Sequence, residues 1–174
     1  MQIIQLTPSD LILAAHHTGV IGGLKQIQNK GGLPNKRISD NTDYNIFYIG
    51  MLGEIAVSKY LGIPINNEVL VGGDGGIDMH YKNQSIQIKT RTHLKNPIYL
   101  MYKHKEEFVA DWSILCTIET PTSVGIRGFI SKAKFMQKAK PLDFGYGASY
   151  VVDIENLADM NKWEGVMNEI CRKG

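Results

Sequence analysis

The sequence predicts a mixed α/β (α+β) domain, in which helices pack on a central mixed β-sheet. Two observations predict this class. Stretches that alternate apolar and polar residues, as strands do, are interspersed with segments of helical length such as 43–61. The 174 residues are 43% hydrophobic and 21% charged, which is typical of a globular chain that buries a core of its own. We therefore expect a single domain over residues 1–174.

Turn and capping residues predict where the elements begin and end. Thr7 to Asp10 is typical of a helix start, and Gly62 with Pro64 ends a second helix. The predicted elements are a helix from about 10 to 28, a loop at 30–36, a helix at 43–61, a strand at 66–71, a glycine-rich turn at 71–76, strands at 77–81 and 85–92, strands at about 112–119 and 124–130, a helix at 131–139, a strand at 149–153 and a helix at 161–172.

The charges are segregated along the chain although the net charge is only +2. Residues 11–39, 79–105 and 120–142 contain 15 of the 19 Lys and Arg residues and no acid. Residues 143–174 contain six acids and three bases. This distribution favours a positive face for a polyanion over a chance cluster of solvated lysines.

Other features bear on location and on alternative chemistry. No apolar run has the length of a membrane helix, and the first residues lack the basic region of a signal peptide. Cys116 and Cys171 form no disulfide framework, and Cys116 is predicted to be a core residue. We expect a cytoplasmic protein that needs no membrane and no small-molecule cofactor.

Glu54 is unusual in its setting. It is the sole charged residue from Tyr44 to Ser58, on a predicted helix that is otherwise mostly apolar. A carboxylate on such a helix needs water, a partner or a metal. Taken alone, Glu54 is interpreted either as a surface residue or as part of a site.

The hairpin over 77–92 gathers polar side chains on one face. If the chain turns between Asn83 and Gln84, Asp78 pairs with Lys89 and His80 pairs with Gln87. Alternation along the strands predicts two faces. The polar face consists of Asp78, His80, Gln87, Lys89 and Arg91, and the apolar face of Ile77, Met79, Tyr81, Ile86 and Ile88. The polar face is either solvated, with an Asp78–Lys89 pair, or it lines a functional site.

The order of these residues resembles that of the PD-(D/E)XK nuclease superfamily. Gly53-Glu54 on a helix is followed after 24 residues by Gly76-Ile77-Asp78 on a strand and after nine more by Gln87-Ile88-Lys89 on the next strand. The Gln-x-Lys variant is similar to that of phage nucleases and modification-directed restriction enzymes, and Holliday-junction resolvases share the wider pattern. The sequence departs from it at Ile77, where proline often stands, and at Gln87, which replaces an acid.

The resemblance implies a restriction-endonuclease-like core over 43–140, preceded by a helical extension (1–42) and followed by a strand and a helix (141–174). It implies a metal-dependent DNA nuclease, an endonuclease that hydrolyses phosphodiester bonds. Since little of the chain lies beyond the catalytic core, we expect it either to recognise DNA by structure or to act as a homodimer. Its catalytic residues would be Glu54, Asp78, Gln87 and Lys89. Its Mg²⁺ ligands, which would also accept Mn²⁺, would be Glu54, Asp78, Gln87 and the backbone carbonyl of Ile88. A viral origin would place it in the host cytoplasm, and a homodimer is left open.

The basic residues near this site are candidates for DNA contacts. They are Arg91, His93, Lys95, Lys103, Lys105, Lys132 and Lys134. Tyr99 and Tyr102 lie among them, either to stack on bases or as core residues. The alternative function is a non-catalytic nucleic-acid-binding module with a degenerate nuclease fold, which Gln87 keeps open because an amide is a weaker ligand than a carboxylate. A protein-interaction domain is the third interpretation.

Overall fold

The computed structural model describes residues 1–27, 43–65, 75–92, 97–145 and 147–173. The strands are β1 (Gln2–Gln5), β2 (Met79–Tyr81), β3 (Gln84–Arg91), β4 (Tyr99–Tyr102), β5 (Trp112–Thr120), β6 (Ser123–Ser131), β7 (Lys140–Asp143) and β8 (Ala148–Asp153). The helices are α1 (Pro8–Ile27), α2 (Asp43–Leu61), α3 (Lys132–Lys138) and α4 (Trp163–Lys173). Short 3₁₀ turns span Lys105–Glu107, Ile154–Asn156 and Met160–Lys162.

The strands form two sheets. The larger sheet has the strand order β1-β6-β5-β3-β2, and the smaller has the order β4-β8-β7. The pair β3/β5 is parallel, and the other pairs are antiparallel. The predicted class, a mixed α/β arrangement with a mixed sheet, is therefore confirmed.

Apolar side chains cover both faces of the larger sheet. On one face, Ile86, Ile88 and Ile114 pack with Leu52 and Ile55 of α2 and with residues of α1 and α4. On the other face, β5 and β6 pack with the smaller sheet and α3, in a cluster of Leu100, Tyr102, Phe108, Leu115, Ile130, Phe135 and Val152 among others. Strand β3 consequently runs between two hydrophobic layers, which explains why polar residues on it need particular partners.

The helix boundaries follow the predicted signals. The Thr7 hydroxyl accepts the Asp10 N–H at 3.3 Å, and the Asp10 carboxylate accepts the Thr7 N–H at 2.7 Å. These reciprocal bonds satisfy amide groups at the start of α1. Helix α2 has the predicted bounds of 43 and 61. Lys59 in its last turn reaches Asp10 at 2.6 Å, which ties the end of α2 to the start of α1.

The turn of the β2–β3 hairpin corrects the predicted register. Lys82 and Asn83 form the turn, with φ values of 47° and 61°. Two-residue hairpin turns favour positive φ at both positions because this matches the twist of the flanking strands, and asparagine tolerates it well. The turn therefore lies one residue earlier than predicted.

Strand partners shift by two residues as a result. Met79 faces Ile86 and His80 faces Ser85, so the predicted Asp78–Lys89 and His80–Gln87 pairs are wrong. A shift of two keeps each strand residue on its predicted face, whereas a shift of one would have reversed the faces. Ile77 precedes β2 and packs on the cluster that the larger sheet forms with the smaller sheet and α3, which we call the second cluster. This is the side opposite to the one predicted for Ile77.

Three strands were not predicted, namely β1, β4 and β7. Each has four residues, and β7 contains a proline, so their sequences lack the longer alternation that marks β5 and β6. The predicted loop at 30–36, the strand at 66–71 and most of the turn at 71–76 lie outside the described residues. In the part of the chain that is described, none of the helices combines the length and apolarity needed to cross a membrane.

Substitution of Gly53 tests how closely α2 packs on β3. A Cβ atom at Gly53 would lie 1.9 Å from Thr90 Oγ1, whereas one at Gly50 in the same helix would meet nothing within 4 Å. We expect Gly53→Ala to lower the free energy of unfolding by about 1–3 kcal/mol through overpacking. Gly50→Ala, the matched control, should raise it by up to about 1 kcal/mol because alanine favours helix. Urea unfolding measures both, and equal effects would contradict this packing.

Candidate active site on strand β3

Asp78 meets the backbone of β3 immediately before β2 begins. Its N–H donates to the Ile86 carbonyl at 2.9 Å, and its carboxylate accepts the Ile88 N–H. The N–H and the carbonyl of one strand residue point to the same side of the strand. The carbonyl of Ile88 therefore points to the side on which the Asp78 carboxylate lies.

Gln87 is the most buried of the predicted polar residues. Its side chain faces the second cluster and it is 6% exposed, and its Oε1 atom has no hydrogen-bond partner among the described residues. Gly76 closes over it with a φ of +85°, and a Cβ there would lie 3.1 Å from Gln87 Nε2. A buried carbonyl oxygen without a donor is costly, so this position needs a donor or a cation that the described residues do not supply.

Lys89 follows on the same face of β3. Its ammonium lies 4.9 Å from the ring centroid of Tyr102, and the Tyr102 hydroxyl donates to Ser113 Oγ at 2.8 Å. Burial raises the pKa of Tyr102 far above its ordinary value, and the negative charge of Asp78 adds to the effect. Tyr102 is a core residue, so the interpretation that it stacks on bases is wrong.

Glu54 lies on α2, which packs on the face of the larger sheet opposite to the one that Gln87 and Lys89 face. It is half-buried, and its neighbour Gly53 packs directly against Thr90. Thr90 lies two residues beyond Ile88, a spacing of about 6.8 Å along a strand. The structure thus joins Asp78 to Ile88, between Gln87 and Lys89 on β3, and packs the helix that carries Glu54 on the other face of the strand at Thr90.

The predicted DNA contacts are spread over both sheets and α3. Arg91 is half-buried and donates to the Tyr99 carbonyl at 2.9 Å, and burial lowers the pKa of its guanidinium. The lysine ammonium groups of positions 103, 105 and 132 donate to carbonyls of Ala148, Met136 and Val109, respectively. The side chain of Lys134 is exposed on α3. His93 and Lys95 lie outside the described residues.

The sequence did not indicate how two residues, Tyr102 and Asp111, support this site. Tyr102 holds Lys89, and Asp111 binds the start of β3, yet both are distant in sequence from their partners. The Asp111 carboxylate accepts the Ser85 N–H at 2.8 Å and the Ser85 hydroxyl at 2.6 Å, which joins the beginnings of β3 and β5. Local patterns carry no signal for such contacts.

The described residues contain no group of three or more His, Cys, Asp and Glu side chains that could hold a metal ion. Any ion here would need amide and carbonyl oxygens beside the carboxylates. A scan against models of protein families and a search of curated proteins found no match to this chain. Its function is therefore inferred from its own residues and their geometry.

The hydrogen bonds of the Asp111 carboxylate lead us to expect that the stability of the fold depends on pH. Hydrogen bonds from the side chain and backbone of Ser85 hold the pKa of Asp111 below its ordinary value. A lowered pKa in the folded state stabilises the fold at neutral pH, and this contribution is lost as the pH falls below about 4. Asp111→Asn should therefore destabilise the protein more at pH 6 than at pH 3 in urea unfolding. Glu155→Gln, an exposed control, should show no such difference, and a constant effect of Asp111→Asn would refute the assignment.

Proposed function

We propose that this chain is a metal-dependent DNA nuclease, an endonuclease that hydrolyses phosphodiester bonds. One observation carries the proposal. The buried Oε1 atom of Gln87 receives no hydrogen bond from a described residue, and Gln87 directly precedes Ile88, whose N–H binds the Asp78 carboxylate. Lys89 follows two residues later on the same face of β3. An oxygen-rich position next to a lysine suits a cation and a phosphate ester together.

The arrangement of elements supports a restriction-endonuclease-like core for this proposal. Helix α2, the β2–β3 hairpin and the parallel strand β5 follow the superfamily's order of helix, meander and further strand. The first strand of the meander would fall at 66–71, outside the described residues. Between β3 and β5 the described chain has β4 and a 3₁₀ turn where the superfamily has a helix, so the correspondence is partial.

The residues fit a divalent cation such as Mg²⁺, for which Mn²⁺ would substitute. In this proposal it is held by the Asp78 carboxylate, the Gln87 amide oxygen and the Ile88 carbonyl, with Glu54 binding directly or through water. These are the hard oxygen ligands that Mg²⁺ prefers. When bound, the ion would polarise the scissile phosphate and lower the pKa of an attacking water.

The chain's own residues would supply positioning and charge. The Ile88 N–H holds the Asp78 carboxylate against β3, which fixes one ligand before any ion binds. Lys89 carries a positive charge on the same face as Gln87 and would stabilise negative charge that develops on the phosphate. Exposed lysines such as Lys134 would bind the DNA backbone, and in this proposal the DNA is selected by its structure rather than by its sequence.

The non-catalytic module remains the second candidate, and one observation favours it. Gln87 replaces a carboxylate, and in the described part of the chain no cluster of three metal-binding acids, histidines or cysteines compensates for it. A module of this kind would bind DNA in a salt-dependent manner and yield no products.

Incubation with supercoiled, linear and branched DNA tests the proposal. We expect products in Mg²⁺ or Mn²⁺ and none in EDTA. Asp78→Asn keeps an oxygen for the Ile88 N–H but loses the charge, and Lys89→Ala removes the ammonium. Each should lower the rate by about 10²-fold or more while the fold remains. Glu155→Gln and Lys162→Ala, exposed controls, should cleave at the wild-type rate.

One result would contradict the site and another the nuclease itself. Wild-type rates in Asp78→Asn or Lys89→Ala would show that the substituted residue does not catalyse. Salt-dependent DNA binding without products, under every metal condition, would favour the binding module instead.

Substitution of Gln87 tests the metal site without any cleavage assay. Gln87→Glu adds a charge, so we expect tighter binding of Mn²⁺ and a larger rise in Tm on adding it. In EDTA the same variant should be less stable than wild type, because the new carboxylate is buried.

Gln87→Leu is the matched variant without an oxygen. It should be at least as stable as wild type in EDTA, since the unpartnered acceptor is gone. Its Tm should not respond to Mn²⁺. If wild type and both variants respond alike to the ion, Gln87 is not a ligand.

A further inference from the structure

Lys89 has an unusual partner for a lysine on an interior strand. Its Nζ atom lies 4.9 Å from the ring centroid of Tyr102, within the range of a cation–π interaction. A lysine ammonium is a point charge on a flexible four-carbon chain, so it has many orientations to lose. The ring face limits these orientations and leaves the positive charge in place. A carboxylate partner would limit them too, but it would neutralise the charge.

The Tyr102 ring is itself held on several sides. Phe108 stacks on it with centroids 5.0 Å apart and planes 4° apart, and Phe135 meets it edge to face at 5.1 Å. The hydroxyl donates to Ser113 Oγ. With 1% of its surface exposed, the ring has no freedom to turn toward a DNA base.

The Tyr102 ring is attached to the strands that form the candidate site. Ser113 on β5 is the register partner of Gln87 on β3, and Leu115 is the partner of Lys89. Tyr102 on β4 in the smaller sheet thus binds the larger sheet beside Gln87 and covers the ammonium two residues further along. A rigid ring fixed at this point determines where the lysine charge lies relative to Asp78 and Gln87.

We infer that Tyr102 is a positioning residue, whose ring face orients the Lys89 ammonium toward the phosphate-binding side of the candidate site. The catalytic part of this inference rests on the proposed nuclease function. The placement of the Lys89 ammonium against the Tyr102 ring does not depend on that function, and NMR measures it separately.

Reductive ¹³C-methylation of the protein places methyl groups on the lysine Nζ atoms, and NMR measures their chemical shifts, which report the surroundings of each ammonium group. The Lys89 resonance is assigned by its loss in Lys89→Arg. In the wild type we expect it upfield of the resonances of exposed lysines such as Lys134, because of the ring current of Tyr102. Tyr102→Phe keeps the ring and should keep this shift, whereas Tyr102→Leu should abolish it. Tyr81→Leu, which removes the ring beneath Lys82, is the matched control and should leave Lys89 unchanged.

Kinetics then test the role in catalysis. Tyr102→Leu should lower kcat about tenfold with KM unchanged, since the charge is present but misplaced in the transition state. Tyr102→Phe should stay within about threefold of wild type, because phenylalanine retains the ring face. A general packing defect would instead affect both variants in proportion to their loss of stability, which urea unfolding measures in parallel.

The outcomes separate the two proposals. A Lys89 resonance at an ordinary position in the wild type overturns the positioning role, whether or not Tyr102→Leu folds. A shifted resonance in a protein that cleaves no DNA overturns the proposed nuclease and the catalytic role, and leaves only the contact. Cleavage by Tyr102→Leu with wild-type kcat overturns the catalytic role alone.

Discussion

Strand β3 lies between two hydrophobic layers, and the rest of the candidate site depends on this constraint. Side chains alternate along a strand, so Ile86 and Ile88 enter the helical layer while Gln87 and Lys89 enter the layer formed with the smaller sheet. Polar groups in that second layer are removed from most of the solvent. Their hydrogen-bonding and charge requirements must therefore be met by specific neighbours.

Most of these requirements are met inside the chain. The Asp78 carboxylate replaces a missing strand partner for the Ile88 N–H, an aromatic ring covers the Lys89 ammonium, and the Arg91 guanidinium donates to the Tyr99 carbonyl. The Oε1 atom of Gln87 differs, since no described residue donates to it. Two other buried polar atoms of the described residues also lack a partner, Thr90 Oγ1 and Trp163 Nε1, but neither lies on the face of β3 that carries Gln87 and Lys89. An unpartnered acceptor on this face is typical of a place where a ligand, an ion or water completes the structure.

Periodicity in the sequence predicted more of this arrangement than turn chemistry did. The hairpin turn was placed one residue late, yet the error shifted strand partners by two and so preserved the faces of Gln87 and Lys89. The end of α2 at Leu61 was predicted because Gly62 and then Pro64 come after it. Strand β4 and the contacts of Tyr102 and Asp111 were not predictable, because they depend on residues that meet only after the two sheets pack.

An amide at position 87 is consistent with a site that is ordered before an ion arrives. A carboxylate there would be buried near Asp78, and two close acids repel each other until a cation binds. The amide avoids this repulsion, and its unpartnered oxygen costs about 1–3 kcal/mol. Bonds within the chain, from Ile88 to Asp78 and from Tyr102 to Ser113, then hold the geometry that a second carboxylate would leave to the metal. If the proposed metal site forms, its weaker ligand set is therefore accompanied by bonds within the chain that order the surroundings.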